Sequence, residues 1–179
     1  MTNTAVIYGD SLYDLCTEEN LSEELLSQTG TVKDIFEDNP DYIRVLNEPS
    51  VPKADRLKLL DEAFAGKIHA YLLNFLKLLC EKGIIAEYCN CAKQYKKRYC
   101  IDNGIVEATV TSAVKLNDKQ REQLIAKLEK ISGNKIVLIE KIDDKFIAGL
   151  KVDMDGKQYD GTVSERIKTI RKAVSDIIV

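Results

Sequence analysis

The stretch GIVEATVTSA, residues 104–113, divides the chain. Val106, Ala108 and Val110 occupy every second position, so they share one face of an extended strand. Upstream of residue 104 the apolar residues recur at three- and four-residue steps, which is helical spacing. Downstream, strand and helix patterns mix. The fold class read from this is α+β: an N-terminal six-helix bundle over residues 1–103 and a small α/β domain over 104–179. The boundary falls near YCIDNG (99–104), where helical periodicity stops at Asn103-Gly104.

Working back from that point, six helices are predicted. Ala5, Tyr8, Leu12 and Leu15 form the stripe of the first. Asn20 and Glu23 have the spacing of a capping box for the second, whose face is Leu21, Leu25, Val32 and Phe36. Gly30 lies inside it, at a cost of about 1 kcal/mol relative to Ala, and marks a place for a break. NPDYIRVL (39–46) and VPKADRLKLLDEAF (51–64) each open with Pro at the start of a helix. A fifth helix spans Ile68 to Cys80 and stops at Gly83. A sixth runs from Ile84 to about Ile101.

Working forward, NDKQREQLIAKLEKIS (117–132) is a helix capped by Asn117 and Gln120, with Leu124, Leu128 and Ile131 as its stripe and Gly133 as its stop. KIVLIEKI (135–142) is nearly continuous apolar and reads as a central strand. FIAGLKVDM (146–154) alternates again. Asp155-Gly156 is a two-residue hairpin signal, and Lys157 to Tyr159 returns as a short strand. Thr162 and Glu165 then cap a last helix with the stripe Val163, Ile167, Ile170, Val174 and Ile177.

The acidic run KVDMDGKQYDGTVSERI (151–167) resembles a cation loop, but its spacing fails. A calcium loop places oxygen ligands at positions one, three and five, Gly at six and Glu at twelve. With Gly156 at six, Lys151 is first and Thr162 twelfth. With Gly161 at six, Gly156 is first. The carboxylates belong to turns and caps.

A chain of 179 residues with 45% hydrophobic content suits one ordinary domain or two small ones. The net charge of −3 lacks the basic excess of a phosphate-backbone binder. YLLNFLKLLC (71–80), the longest apolar stretch, is interrupted by Asn74 and Lys77 and is too short to cross a bilayer. The N-terminus carries Asp10 and Asp14 and no basic leader, so a cytosolic chain is expected. The five cysteines have no framework spacing and are expected as free thiols. Cys89 and Cys91 point to nearly opposite faces of a helix, which disfavours a shared metal.

Catalytic signatures are missing. The single histidine, His69, has no triad spacing around it. There is no glycine-rich phosphate loop. KQYKKRY (93–99) is a basic run with interleaved tyrosines. It supports an alternative reading as a nucleic-acid-associated protein using Lys93–Arg98 and the α/β domain. A third reading is a small enzyme employing His69 or Asp153.

One feature asks for a partner. In IHAYLLNFLKLLC (68–80), ten of thirteen residues are apolar. Ile68, Leu72, Leu76 and Leu79 make one stripe; Tyr71, Phe75 and Leu78, with Asn74 beside them, make a second. A surface helix carries a single stripe. This one is either central to the bundle or has one side for the bundle and another for a guest. The first helix is also over-endowed, because Val6, Ile7, Tyr13 and Cys16 lie off its main stripe. Two such helices side by side would form a groove for an amphipathic helix.

Several segments resemble the delta subunit of bacterial F-type ATP synthases, the counterpart of the mitochondrial oligomycin-sensitivity-conferring protein. AVIYGDSLYDLC, NFLKLLCEKGII and VEATVTSAVKLNDKQREQL follow that family's patterns in order. In IDDKFIAGLKVDMDGKQYDGTVSERI, the residues Ile142-Asp143, Ala148-Gly149-Leu150, Val152 and Asp160-Gly161-Thr162-Val163 fall in register. Ala148 departs from the usual Gly, Ile84 stands where Arg is frequent, and Gly9 and Ser11 replace small alanines.

The resemblance implies a non-catalytic stator protein, without cofactor, metal or nucleic acid. Its helical domain would cap the catalytic head and clasp the N-terminal helix of an alpha subunit. Its C-terminal domain would join the b subunits of the peripheral stalk through the last helix and the region of Gly149. The complex would sit at the cytoplasmic face of the cell membrane. By position, the resemblance assigns partner binding to Tyr8, Ser11, Leu12 and Leu15 of the first helix and to Tyr71, Asn74, Phe75 and Leu78 of the fifth.

Overall fold

The computed structural model describes residues 2–143, 149–154 and 156–160. The chain divides into two compact units, Met1–Cys100 and Ile101–Val179. The first holds α1 (Asn3–Glu18), α2 (Ser22–Asp38), α3 (Pro40–Leu46), α4 (Lys53–Phe64), α5 (Ala70–Glu81), a 3-10 turn (Ile85–Glu87) and nearly all of α6 (Tyr88–Asp102). The predicted sixth helix therefore starts later than Ile84, after a separate tight turn.

Two tyrosines on α6 organise the helical unit. Tyr88 and Tyr95 are fully buried. The Tyr88 hydroxyl donates to the Thr29 carbonyl at 3.1 Å and the Tyr95 hydroxyl to the Ser22 carbonyl at 3.0 Å. Both pairs are two helical turns apart and run in opposite order, so α2 and α6 are antiparallel. Phe36 sits edge-on to Tyr88, with ring centroids 5.1 Å apart, and also meets Tyr42 and Phe64. Leu25, Leu46, Leu60, Leu72, Leu76 and Leu79 complete the buried core. The Leu46 carbonyl, left over at the end of α3, accepts from Arg56 Nη1 at 3.2 Å and faces the Cys80 thiol at 3.4 Å.

Several local expectations change. α2 runs unbroken through Gly30: its flanking Thr29 and Val32 are buried against the core, and that packing outweighs the glycine's propensity cost. Asn20 adopts φ 57° and closes the turn after α1 instead of capping α2, so the Asn20–Glu23 box does not form. Asn39 precedes Pro40 as expected, but its amide donates to the Ile35 carbonyl at the end of α2.

The largest change concerns α1. Its stripe was expected at Ala5, Tyr8, Leu12 and Leu15. The buried residues are instead Ala5, Gly9, Leu12, Tyr13 and Cys16. The helix is rolled so that Leu15 is 40% exposed and Tyr8 half-buried. Gly9 marks the reason. A Cβ placed there would stand 2.8 Å from the Cys91 carbonyl oxygen and 2.8 Å from Gln94 Cβ, so α1 approaches α6 closely at this point.

In the second unit, β1 (Ile105–Ser112) pairs in parallel with β2 (Lys135–Ile142), and α7 (Asp118–Ser132) makes the crossover between them. β1 pairs antiparallel with β3 (Leu150–Met154), and β3 with β4 (Lys157–Asp160), giving the order β2-β1-β3-β4. The apolar β2 was expected at the centre, yet β1 takes that place. A parallel neighbour requires a long crossover and an antiparallel one only a tight return; the described pairing puts the α7 connection on one side of β1 and the β3–β4 hairpin on the other. The Asn117–Gln120 capping box is present, with bonds of 2.8 and 3.1 Å, and Gly133 ends α7 at φ 70°. Leu128 is buried, but Ile131 is 62% exposed; Ile125 packs beside Leu124 instead. Arg121 on α7 grips Glu140 on β2 at 2.6 and 2.7 Å. The predicted strand residues 146–148, Asp155, the Thr162–Glu165 cap and the last helix lie outside the described residues.

Replacing Gly9 by Ala is expected to destabilise the helical unit. Overpacking costs about 1–3 kcal/mol, against a propensity gain of about 1 kcal/mol. Urea unfolding followed by circular dichroism should show a lower midpoint for the variant.

Candidate partner-binding surface

α5 buries Leu72, Leu76 and Leu79 on one side. Ile68, expected in that stripe, precedes the helix and packs half-buried against the core. His69 is the N-cap: its Nδ1 accepts from the Tyr71 amide at 3.3 Å, and its own amide donates to Gln28 Oε1 at 2.6 Å. The imidazole that sequence left ambiguous therefore caps the start of a helix. Its ring lies 5.1 Å from that of Tyr71, close to the candidate surface.

Outside the buried stripe, Tyr71 is half-buried, Asn74 exposed and Leu78 40% exposed. Their steps of three and four place them in one row along the helix. On α1, Tyr8, Ser11 and Leu15 follow the same steps, half-buried, exposed and 40% exposed respectively. Ser11 donates to the Ile7 carbonyl at 2.8 Å, so its hydroxyl folds back on its own helix. Ile7, which the resemblance did not assign, is 55% exposed on the same outer side. Its hydrophobicity off the main stripe was the sequence signal.

The remaining two assigned residues lie deeper. Leu12 is 3% exposed and Phe75 only 8%, with the Phe75 ring 6.4 Å from that of Tyr88. Both belong to the core. The eight residues thus separate into six at the surface and two below.

Beside α1, a polar cluster ties the helix to α6. Gln94 Nε2 donates to Asp10 Oδ1 at 2.9 Å. Arg98 lies 3.7 Å from Asp10 and 3.5 Å from Asp14, with its guanidinium 5.6 Å from the centre of the Tyr13 ring. Arg98 is thereby turned toward α1, and only Lys93, Lys96 and Lys97 of the basic run are exposed.

The second unit carries a cavity of about 490 Å³ beside α7, lined by Ser112, Leu116, Gln120, Leu124, Gly149 and Leu150 among others. Asp153 accepts from Gln158 across the β3–β4 hairpin at 2.7 Å. Among the described residues, no three His, Cys, Asp or Glu side chains gather as a metal site.

Burial disfavours the thiolate at four of the five cysteines. Burial pushes Cys91 up to about 11, and raises Cys16, Cys80 and Cys89 above their ordinary value of 9.0. This is the reverse of an activated nucleophile.

The chain thus has a helical unit with apolar surface to spare, followed by a small mixed-sheet unit. The chain belongs to the ATP synthase delta (OSCP) subunit family, whose model matches residues 5–174. It is 29% identical over 165 residues to an ATP synthase subunit delta of Clostridium kluyveri, covering 92% of this chain and 91% of that one. To the corresponding subunit of Clostridium botulinum it is 32% identical over 165 residues, covering 92% of each. Its fold matches a chain in the Toxoplasma gondii mitochondrial ATP synthase hexamer, with a TM-score of 0.72 at 14% identity over 97% of this chain and 98% of that one. The protein is a non-catalytic stator subunit of an F-type ATP synthase and a peripheral component of that complex. No described helix is long and apolar enough to cross a membrane.

The depth of Phe75 separates it from Leu78. Phe75→Ala should cost about 3–5 kcal/mol, whereas Leu78→Ala should stay within about 1 kcal/mol. Chemical denaturation measures both. The thiols set a pH limit as well. Their folded pKa values are raised, so their contribution is complete below the unfolded value of 9.0 and is lost as pH rises through the folded one, about 11 for Cys91. Stability should fall across that window, and replacing Cys91 by Ala should make the fall shallower.

Proposed function

We propose that the N-terminal unit receives the N-terminal helix of an alpha subunit across the rows Tyr8–Ser11–Leu15 and Tyr71–Asn74–Leu78. The C-terminal unit then joins the b subunits of the peripheral stalk. The region of Gly149 and its neighbouring cavity is the stalk-facing part, and the complex lies at the cytoplasmic face of the cell membrane.

The observation that carries this reading is the second, half-open apolar row on α5, opposite a fully buried one. Core packing uses Leu72, Leu76 and Leu79 and leaves Tyr71 and Leu78 at the surface. An amphipathic helix laid there buries its own apolar side against these residues. Such burial yields about 25 cal/mol per Å², reduced by the ordering costs of association. Membership of the delta family supports the choice of partner.

The function is mechanical. Rotor torque tends to turn the catalytic head, and the stator must hold the head to the stalk at two ends of one chain. Apolar burial suits this because it needs no covalent link and no chemistry at the contact.

Titration with a synthetic peptide of the alpha N-terminal helix tests the surface. Leu15→Asp, Tyr71→Asp and Leu78→Asp should each weaken binding about tenfold or more, while circular dichroism stays native. Unchanged affinity in the three folded variants would refute the assignment. Phe75→Asp is unsuitable for this purpose, because Phe75 lies in the core. For the other end, affinity capture from native membranes should recover alpha and b subunits together.

A further inference from the structure

Periodicity places Leu15 inside and leaves Tyr13 and Cys16 off the main stripe. The structure does the opposite, so something other than the apolar pattern sets the roll of α1. The contacts on one side of the helix supply it. Asp10, Tyr13 and Asp14 follow one another at helical spacing and face Gln94 and Arg98, which are one turn apart on α6. Arg98 approaches both carboxylates and lies over the Tyr13 ring, while Gln94 holds Asp10 at 2.9 Å. Gly9 lets the two backbones come close enough for these side chains to meet. Thr2 adds a bond to Glu87 at 2.7 Å at the start of the helix.

We propose that Arg98 is a positioning residue for the binding surface: by engaging Asp10, Asp14 and Tyr13 it fixes the rotation of α1 that presents Tyr8, Ser11 and Leu15 outward. This rests on the proposed reading of that surface as the alpha-helix site. Tyr8 and Leu15 lie on the side of α1 away from Asp10 and Asp14, about a third to a half turn around the axis at 3.6 residues per turn. A roll that frees the aspartates from α6 would carry Leu15 toward the core and break up the row. An arginine suits the role because its planar fork serves two carboxylates while its face stacks on an aromatic ring. In this account Arg98 works inside the protein, apart from the exposed lysines beside it.

The test is binding of the full chain to the synthetic alpha N-terminal peptide, at a temperature well below each variant's melting point. There a purely structural role would leave affinity unchanged. Arg98→Ala should weaken binding about three- to tenfold. Arg98→Lys should lose less, and Arg98→Asp combined with Asp14→Arg should recover affinity relative to Arg98→Asp alone. Should Arg98→Ala not fold, the Lys variant and the charge-exchange pair give the reading. If the wild type binds and Leu15→Asp abolishes binding, but every Arg98 variant binds as the wild type does, the positioning role is overturned and the surface stands. If the wild-type chain does not bind the peptide, both are overturned.

Discussion

The hydroxyls of Tyr88 and Tyr95 must find acceptors inside an apolar bundle, and this requirement fixes the helical unit. A buried phenol without a partner forfeits its hydration with no return. Backbone carbonyls of α2 supply them, at Ser22 and Thr29. Because the donors and acceptors have the same spacing, one antiparallel register satisfies both. The Phe36 ring then closes against Tyr88 and draws in α3 and α4 through Tyr42 and Phe64.

With α6 held against α2, its other contacts determine what the unit shows to the outside. Gly9 admits the Cys91 carbonyl and Gln94, and the carboxylates of α1 meet Gln94 and Arg98. α1 is thereby rolled toward α6, and part of its apolar inventory faces outward. On α5 the surplus has a simpler origin: the helix has more apolar residues than one buried side can take. Each helix buries one of the assigned residues, Leu12 or Phe75, and keeps others accessible.

The second unit follows a different logic. Its sheet grows outward from β1, with the parallel partner on one side and the hairpin partner on the other. α7 is fixed by the Asn117–Gln120 box at its start and by the Arg121–Glu140 pair to β2. Asp153 serves the hairpin directly, accepting from Gln158 across the strands.

The sequence by itself determined the α+β class, the change of periodicity near residue 104, the α7 caps and the Asp155-Gly156 turn signal. Each depends on neighbours a few residues apart, so local spacing contains the information. It also exposed the surplus of apolar residues on α1 and α5. It did not determine which of them would be buried: the roll of α1, the place of β2 at a sheet end, the continuity of α2 through Gly30 and the depth of Phe75 came only with the tertiary structure. Those outcomes rest on contacts between residues tens of positions apart, such as Gly9 with Cys91 and Asp10 with Gln94. A periodic pattern names the candidates for a face, but packing against a distant helix chooses the face.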